Sequence, residues 1–218
     1  MRFFRPGFPA RWLYPDATFR IKTNCQVLCL TFDDGPDPFS TPQLLDILRK
    51  HNIRALFFCN GKAAEEYPDL MNQIRSDSHA IGNHGYNHLD GWKTDSATYI
   101  NDVIMASEFT SGNMFRPPFG RLSMEQKRSL SKTFKLILWD IMAYDFDRDF
   151  GRDKSLRILK NKIRPGSIIV LHDTASSSAN AILEEFIIFA KKDGYRFEII
   201  DDSFNPIRNR IIEKGEKS

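Results

Sequence analysis

The sequence has few cysteines, and those present do not form a disulfide framework. Cys25, Cys29 and Cys59 are an odd number, so at least one has no partner within the chain. Cys25 and Cys29 stand four residues apart in a stretch that reads as a strand, where their Cα atoms would lie about 13 Å apart. A disulfide requires less than about 7 Å between these atoms. We therefore expect these two residues to be buried as small apolar side chains.

The sequence also lacks a dominant charge and a sustained basic run. Lys and Arg number 31 against 28 Asp and Glu, which gives a formal net charge of +3. So small an excess argues against a nucleic-acid partner. No internal repeat or linker divides the 218 residues, so we expect one domain over residues 25–205 and a charged tail over 206–218. Nothing in the sequence predicts an oligomeric state.

Residues 1–24 lack the apolar core of a signal peptide. The segment carries aromatic and arginine residues, and Pro6, Pro9 and Pro15 interrupt it. It predicts neither a signal peptide nor a transmembrane segment, so we expect a cytoplasmic location. We expect the segment to pack on the domain as an irregular arm. The alternative is peripheral association with a membrane surface.

Strand-like and helix-like segments alternate along the rest of the chain. Apolar runs predict strands over 26–32, 55–59, 79–83, 114–116, 134–141, 167–171 and 196–200. Helices are predicted over 41–50, 63–75, 153–163 and 179–191, and two more begin after Asp95 and at Ser123. On the helix after Asp95, Ile100, Val103 and Ile104 are expected to share one face. This order predicts an α/β protein with a parallel sheet, either open or rolled into a barrel.

Unusual polar residues follow the ends of the predicted strands. In a parallel α/β barrel these ends share one face, where active sites are built. We therefore expect distant parts of the sequence to meet there. The residues concerned are Asp33 and Asp34 after the first strand, His84 and His88 after the third, Arg116 after the fourth, Asp145 after the fifth and His172 after the sixth.

The acid pair and the histidine pair together predict a metal site. Asp33 and Asp34 precede Gly-Pro, and a simple capped turn is the structural alternative. His84 and His88 taken alone could be two surface histidines. Combined at one face, one Asp and two His with water match the open, catalytic type of zinc site.

Three further residues have a structural and a functional interpretation. Arg116 precedes a rigid Pro-Pro segment and is either a surface residue or the partner that orients a carboxylate. Trp139 lies in an apolar strand and is typical of a core residue. His172 closes an apolar strand, where it is either a hydrogen-bonded structural residue or a general acid.

Five segments together resemble a known family. TFDDGP, HGYNH, RPPFG, the WDIMAYDF region and IIVLHD occur in this order between Thr31 and Asp173. They are similar to the motifs of the polysaccharide deacetylase (NodB-homology) family, carbohydrate esterase family 4. The resemblance implies a distorted (β/α) barrel of about seven parallel strands and a bound divalent metal, with zinc expected and cobalt or nickel as alternatives.

The resemblance also implies a role for each matching residue. Asp34, His84 and His88 would bind the metal, and Asp33 would be the general base. Arg116 would orient Asp33, Asp145 would support Arg116 or tune His172, and His172 would be the general acid. The backbone N–H of Phe119 would help hold the oxyanion, while Pro118, Phe146 and Trp139 would contact the substrate. The expected reaction removes acetyl groups from N-acetylated sugars and releases acetate.

Three departures from the family pattern bear on this expectation. Gly85 stands where the family usually has Ser or Thr, so a hydroxyl that would brace the loop is absent. Residues 142–146 read MAYDF instead of Asp-Ser-x-Asp-Trp, and no secretion signal is seen. A carbohydrate-binding module that retains the fold without catalysis is therefore the alternative. A phosphoesterase using the same ligands is a weaker one, because no Gly-rich phosphate loop is present.

Overall fold

The computed structural model describes residues 4–201. The proposed tail over 206–218 and the last four residues of the proposed domain lie outside them. Within the described range the sheet is built from β1 Val27–Asp33, β2 Leu56–Cys59, β3 Ala80–Asn83, β4 Met114–Phe115, β5 Lys135–Leu136, β6 Ile141–Met142, β7 Ser167–His172 and β8 Arg196–Phe197. The helices are α1 Phe8–Leu13, α2 Thr41–Lys50, α3 Gly61–Glu66, α4 Pro68–Ser76, α5 Ser96–Ala106, α6 Met124–Leu130, α7 Arg152–Lys162 and α8 Ala179–Lys192.

The strands form one parallel sheet that curls into part of a barrel. Seven of them run in the order β5-β4-β3-β2-β1-β7-β6, and β8 pairs with the beginning of β1. Every residue of β1 is buried, as expected for a central strand covered on both faces. The predicted distorted (β/α) barrel is therefore confirmed.

The N-terminal arm fits against the open part of the sheet. Thr18 bridges Ile137 just beyond β5, and Arg20 bridges Ser167 at the start of β7. The side chains of Tyr14 and Phe19 are buried in an apolar cluster. The division of the chain into arm, domain and tail stays a prediction.

Two predicted elements are each divided in the structure. The helix predicted over 63–75 is two helices, because Pro68 begins a new one after Tyr67. The strand predicted over 134–141 is β5 and β6, because the hydrogen bonds of the intervening residues change partner. Leu138 N–H donates to Thr18 of the arm, and Asp140 N–H donates to Ile168 of β7.

Two burial predictions were wrong. Cys25 is exposed and precedes β1, whereas Cys29 within β1 is buried. On α5, Val103 is fully buried but Ile104 is 56% exposed, because the buried face of the helix is formed by Tyr99, Asp102, Val103 and Ala106. Among residues 4–201, none of the helices combines the length and apolar character needed to cross a bilayer.

Candidate active site

The C-terminal ends of the strands bring the predicted polar residues together. Asp33 is the last residue of β1 and His172 the last of β7, and the two are register partners in the sheet. Asp34 follows directly after β1, and His84 follows directly after β3. Arg116 follows β4 in the same way. The expectation that these segments share one face is thus met.

Asp34, His84 and His88 converge on one point. Their candidate ligand atoms all lie within 4.8 Å of one another. Asp34 Oδ1 is 3.1 Å from His88 Nε2 and 3.5 Å from His84 Nε2. This oxygen is buried and accepts no hydrogen bond of good geometry from the described residues. Because a buried, unsatisfied carboxylate oxygen facing two imidazoles is suited to a cation, the three residues fit a divalent metal.

The electrostatics of the cluster favour an ionised carboxylate. Burial opposes ionisation of Asp34, but the adjacent His84 and His88 imidazoles outweigh it and hold the pKa of the carboxyl well below its usual range. His84 Nδ1 lies 2.8 Å from the carbonyl oxygen of Arg116. A carbonyl only accepts, so Nδ1 carries the proton and Nε2 is left free to bind a cation.

The loop between His84 and His88 is held by Asp102 of α5. The Asp102 carboxylate is buried and accepts the backbone N–H of Tyr86 at 2.8 Å and that of Asn87 at 3.0 Å. It also accepts the side-chain amide of Asn87 at 2.8 Å. Gly85 adopts a φ of +75°, and a Cβ there would approach Asp102 Oδ2 to 3.0 Å. Asp102, on a distant helix, therefore braces the loop in which Gly85 has no side chain to do so.

Asp33 is fixed by a fully buried arginine. Arg116 donates from one guanidinium nitrogen to Asp33 Oδ1 at 2.6 Å and to Thr31 Oγ1 at 2.7 Å. Its other nitrogens donate to the carbonyls of Ile137 and Leu138. The guanidinium also lies 4.2 Å from the centre of the Phe58 ring. With every donor nitrogen directed by a partner, Arg116 leaves the Asp33 carboxylate one defined orientation.

His172 forms a second charged pair across the same cleft. Its Nδ1 is 3.0 Å from Asp145 Oδ1, and its backbone N–H donates to Asp145 Oδ2 at 2.7 Å. The Ser177 hydroxyl donates to the same Oδ2 at 3.0 Å. Burial alone would lower the pKa of His172, but Asp145 outweighs it and raises this pKa to about 9. The pair with Asp145 therefore favours the protonated imidazole.

Several residues of the cleft have strained backbones. Asp34, His88 and Phe119 have φ values of 78°, 56° and 58° although none is glycine. Left-handed residues other than glycine cost of order 1–3 kcal/mol and occur where the surroundings impose them, often at functional sites. Their coincidence in one cleft marks it as a functional site.

These groups line one cavity of about 180 Å³. Phe119 packs its edge on His88 with ring centres 4.7 Å apart, and Phe146 packs on His172 at 4.6 Å. Pro117 lines the cavity, whereas the buried Pro118, which was expected to contact the substrate, is not among the lining residues. The lining comprises Asp33, Asp34, His84, His88, Pro117, Phe119, Gly120, Trp139, Met142, Phe146 and His172.

Four residues around the site were missed by the sequence reasoning. Thr31 holds Arg116, Ser177 holds Asp145, Asp102 holds the histidine loop and Met142 lines the cavity. A polar Thr in the middle of an apolar strand was a signal that could have been used for Thr31. Asp102 lies on the same helix face as buried Tyr99 and Ala106, which was a second such signal. Ser177 gave none.

Known proteins are similar to this chain. Residues 20–134 match the family model "Polysaccharide deacetylase". A peptidoglycan-N-acetylglucosamine deacetylase of Bacillus cereus is 31% identical over 193 residues, covering 84% of this chain and 70% of the relative. A chitooligosaccharide deacetylase of Azorhizobium caulinodans is 36% identical over 162 residues, covering 71% and 77%.

A solved structure is similar throughout the fold. The Bc1960 peptidoglycan N-acetylglucosamine deacetylase, in complex with 4-naphthalen-1-yl-N-oxidanyl-benzamide, superposes with a TM-score of 0.81 at 29% identity. The match covers 89% of this chain and 95% of that one. The fold and the cleft define a hydrolase of the carbohydrate deacetylase class. The chain belongs to the polysaccharide deacetylase family.

Proposed function

We propose that the protein is a metal-dependent enzyme that removes acetyl groups from N-acetylated glycans and releases acetate. The observation that carries this proposal is the geometry of the cleft: three candidate metal ligands line one cavity together with an arginine-bound carboxylate and a histidine paired with a second carboxylate. Amide hydrolysis needs a base for the attacking water and an acid for the departing amine, and these two groups supply them.

Asp34, His84 and His88 are the proposed metal ligands, and zinc is the metal that suits this set of ligands best. A bound divalent cation would polarise the acetyl carbonyl and make the attacking water more acidic. Cobalt and nickel accept the same ligands and are alternatives.

The protein's own side chains carry the proton transfers. Asp33, oriented by Arg116, accepts a proton from water as the oxygen attacks the acetyl carbon. His172 then donates its proton to the sugar nitrogen as the carbon–nitrogen bond breaks, so the products are acetate and a free amino sugar. Asp145 keeps His172 protonated until that step. The backbone N–H of Phe119 is proposed to donate to the oxygen that becomes negative in the transition state.

The cavity of about 180 Å³ has an aromatic lining that suits a small acyl group. Trp139 and Met142 belong to this lining, as do Phe119, which packs on His88, and Phe146, which packs on His172. The relatives named above act on peptidoglycan N-acetylglucosamine or chitooligosaccharides, which supports an N-acetylglucosamine unit as the substrate. The cytoplasmic location expected from the sequence stays a prediction.

The test is acetate release from a panel of N-acetylated sugars by metal-free protein, with zinc or cobalt added back. We expect no release without metal and turnover once it is restored. If no glycan yields acetate but calorimetry shows glycan binding, the protein is a carbohydrate-binding module with the same fold and not an enzyme.

A further inference from the structure

An exposed aromatic surface continues from the catalytic cleft on the side of the three proposed metal ligands. It consists of Phe119, Arg121 and Trp92, which we call the aromatic platform. Phe119 is 55% exposed and Trp92 is 62% exposed. Large apolar side chains presented to solvent side by side are unusual on a surface and mark binding sites.

The platform is continuous with the proposed metal site. The Phe119 ring packs on His88 at 4.7 Å between ring centres. The Arg121 guanidinium lies 5.7 Å from the Phe119 ring and 5.1 Å from the Trp92 ring. A ligand that reaches the cluster can therefore extend over Trp92 without leaving an aromatic or cationic surface.

Hydrogen bonds hold the Trp92 indole in place although it is exposed. Its Nε1 donates to the Leu122 carbonyl at 3.2 Å, and its backbone N–H donates to Asp90 Oδ1 at 3.0 Å. Asp90 Oδ2 in turn accepts Arg121 at 2.6 Å. A rigid aromatic ring loses little conformational entropy when it binds a ligand.

The loop that carries Trp92 is also fixed to its neighbour. A Cβ on Gly91 would lie 2.3 Å from the Arg121 carbonyl oxygen, so the two backbones pack too closely for a side chain. The buried Gln126 donates to the Gly91 carbonyl at 3.0 Å and to the Thr94 carbonyl at 3.2 Å. The platform is thus preorganised in the free protein.

We propose that the aromatic platform binds the sugar ring next to the one that is deacetylated, and so makes Trp92 a determinant of substrate length. A pyranose ring has a C–H face that packs on an indole and hydroxyl groups at its edge that can accept from Arg121. The inference rests on the proposed function, because it takes the acetylated unit to lie in the cavity. It adds that the preferred substrate is an oligomer.

Kinetics on N-acetylglucosamine oligomers of one to four units test the proposal. Trp92→Ala is expected to raise KM for the tetramer about tenfold more than for the monomer, with kcat little changed, because it removes binding to a non-reacting unit. Trp92→Phe should recover most of the loss. Trp12→Ala is the matched control, since Trp12 is a 75% exposed tryptophan on the arm, and it should leave every KM unchanged. An equal effect of Trp92→Ala on all lengths, or none, overturns the proposal.

A binding measurement separates this proposal from the reaction itself. Calorimetry with the metal-loaded Asp33→Asn variant measures tetramer affinity while turnover is strongly reduced. If adding Trp92→Ala to that variant weakens tetramer binding about tenfold, the platform is supported even when the wild type releases no acetate. Equal affinity with and without Trp92 rejects the platform, even when deacetylation is observed.

Discussion

Asp102 and Gly85 are matched to each other: a Cβ at position 85 would stand 3.0 Å from Asp102 Oδ2, and Gly85 has a φ of +75°. The carboxylate binds the loop that carries both proposed histidine ligands. Gly85 departs from the family pattern, but the Asp102 carboxylate on α5 holds the loop instead. Restoring the family's residue at position 85 should harm the protein.

Gly85→Ser should lower both stability and metal affinity. A left-handed residue other than glycine costs roughly 1–2 kcal/mol, and the added Cβ would crowd Asp102. Zinc affinity of the metal-free protein and chemical denaturation measure the two effects. Gly151→Ser is the matched control, because Gly151 has a φ of +81° and a Cβ added there would meet nothing within 4 Å. Gly151→Ser should lower stability but leave zinc affinity unchanged. Equal zinc affinity in the two variants would contradict the role of Asp102.

Asp102→Ala should weaken zinc binding about 10- to 100-fold, as is typical when a group that orients metal ligands is removed. Titration calorimetry on metal-free protein measures this without relying on turnover. Asp95→Ala removes the cap of the same helix and should cost about 1 kcal/mol of stability. If Asp95→Ala lowers zinc affinity as much as Asp102→Ala does, the loss of affinity comes from destabilising the helix. The role of Asp102 in holding the histidine loop would then be rejected.

Asp33→Asn should lower kcat about 10²–10⁴-fold, the usual range for loss of a general base. The amide oxygen can still accept from Arg116, so the position of the side chain is kept. Zinc affinity should stay near that of the wild type, because Asp33 is not among the proposed ligands. Full activity in this variant would reject the assignment of the base.

Asp145→Asn should shift the alkaline limb of the pH profile towards lower pH. In the wild type the acid must be protonated, and Asp145 raises the pKa of His172 to about 9, so activity should fall as pH rises through about 9. Without the carboxylate charge, burial dominates and the pKa of His172 falls. A kcat profile from pH 6 to 10 measures the shift, and an unchanged alkaline limb would exclude His172 as the acid.

Asp173→Asn should make stability less dependent on pH. Burial raises the pKa of Asp173 to about 7 despite hydrogen bonds from Thr41 and Ser40, and Thr41 Oγ1 donates to it at 2.6 Å. The unfolded pKa is about 3.9, so the stabilising contribution of the bound proton is full below that value. It is lost as pH rises through about 7.

Chemical denaturation between pH 4 and 8 tests whether the free energy of unfolding falls as the pH rises. The wild type should lose up to about 1.4 kcal/mol per pH unit more than the Asn variant within that window. The variant mimics the protonated acid and should keep the surrounding packing. Parallel stability curves for the two proteins would show that Asp173 does not bind the proton.

The sequence predicted the features that depend on neighbouring residues, such as where a helix begins and where a strand ends. Helix α2 was predicted to within one residue, because Thr41 and Pro42 mark its beginning. Thr41 was expected at the N-cap, whereas Ser40 is the N-cap and Thr41 is the first residue of the helix. The strand ends were found because β1 and β7 are almost entirely apolar and finish at charged residues. The rule that active sites form at these ends then placed the polar residues of the cleft together.

What the sequence could not predict depends on contacts between distant segments. Asp102 could not be assigned to the histidine loop, since helix periodicity shows which face is buried but not what it covers. Asp145 was left with two alternative partners, and the structure pairs it with His172. Ile100, Val103 and Ile104 were predicted to share one face from their spacing, but the buried residues of α5 are Tyr99, Asp102, Val103 and Ala106.

The partners of the cleft are far apart along the chain, and this separation bears on how activity appears during folding. Arg116 and Asp33 are 83 residues apart, and β1 is completed only by β7, as in the bond from Thr31 to Ile169 over 138 residues. Chains dominated by such long-range pairing fold slowly. The proposed cation would bind only the assembled site and would therefore add stability by mass action. On that proposal, metal supply would govern how much of a newly made chain persists long enough to work.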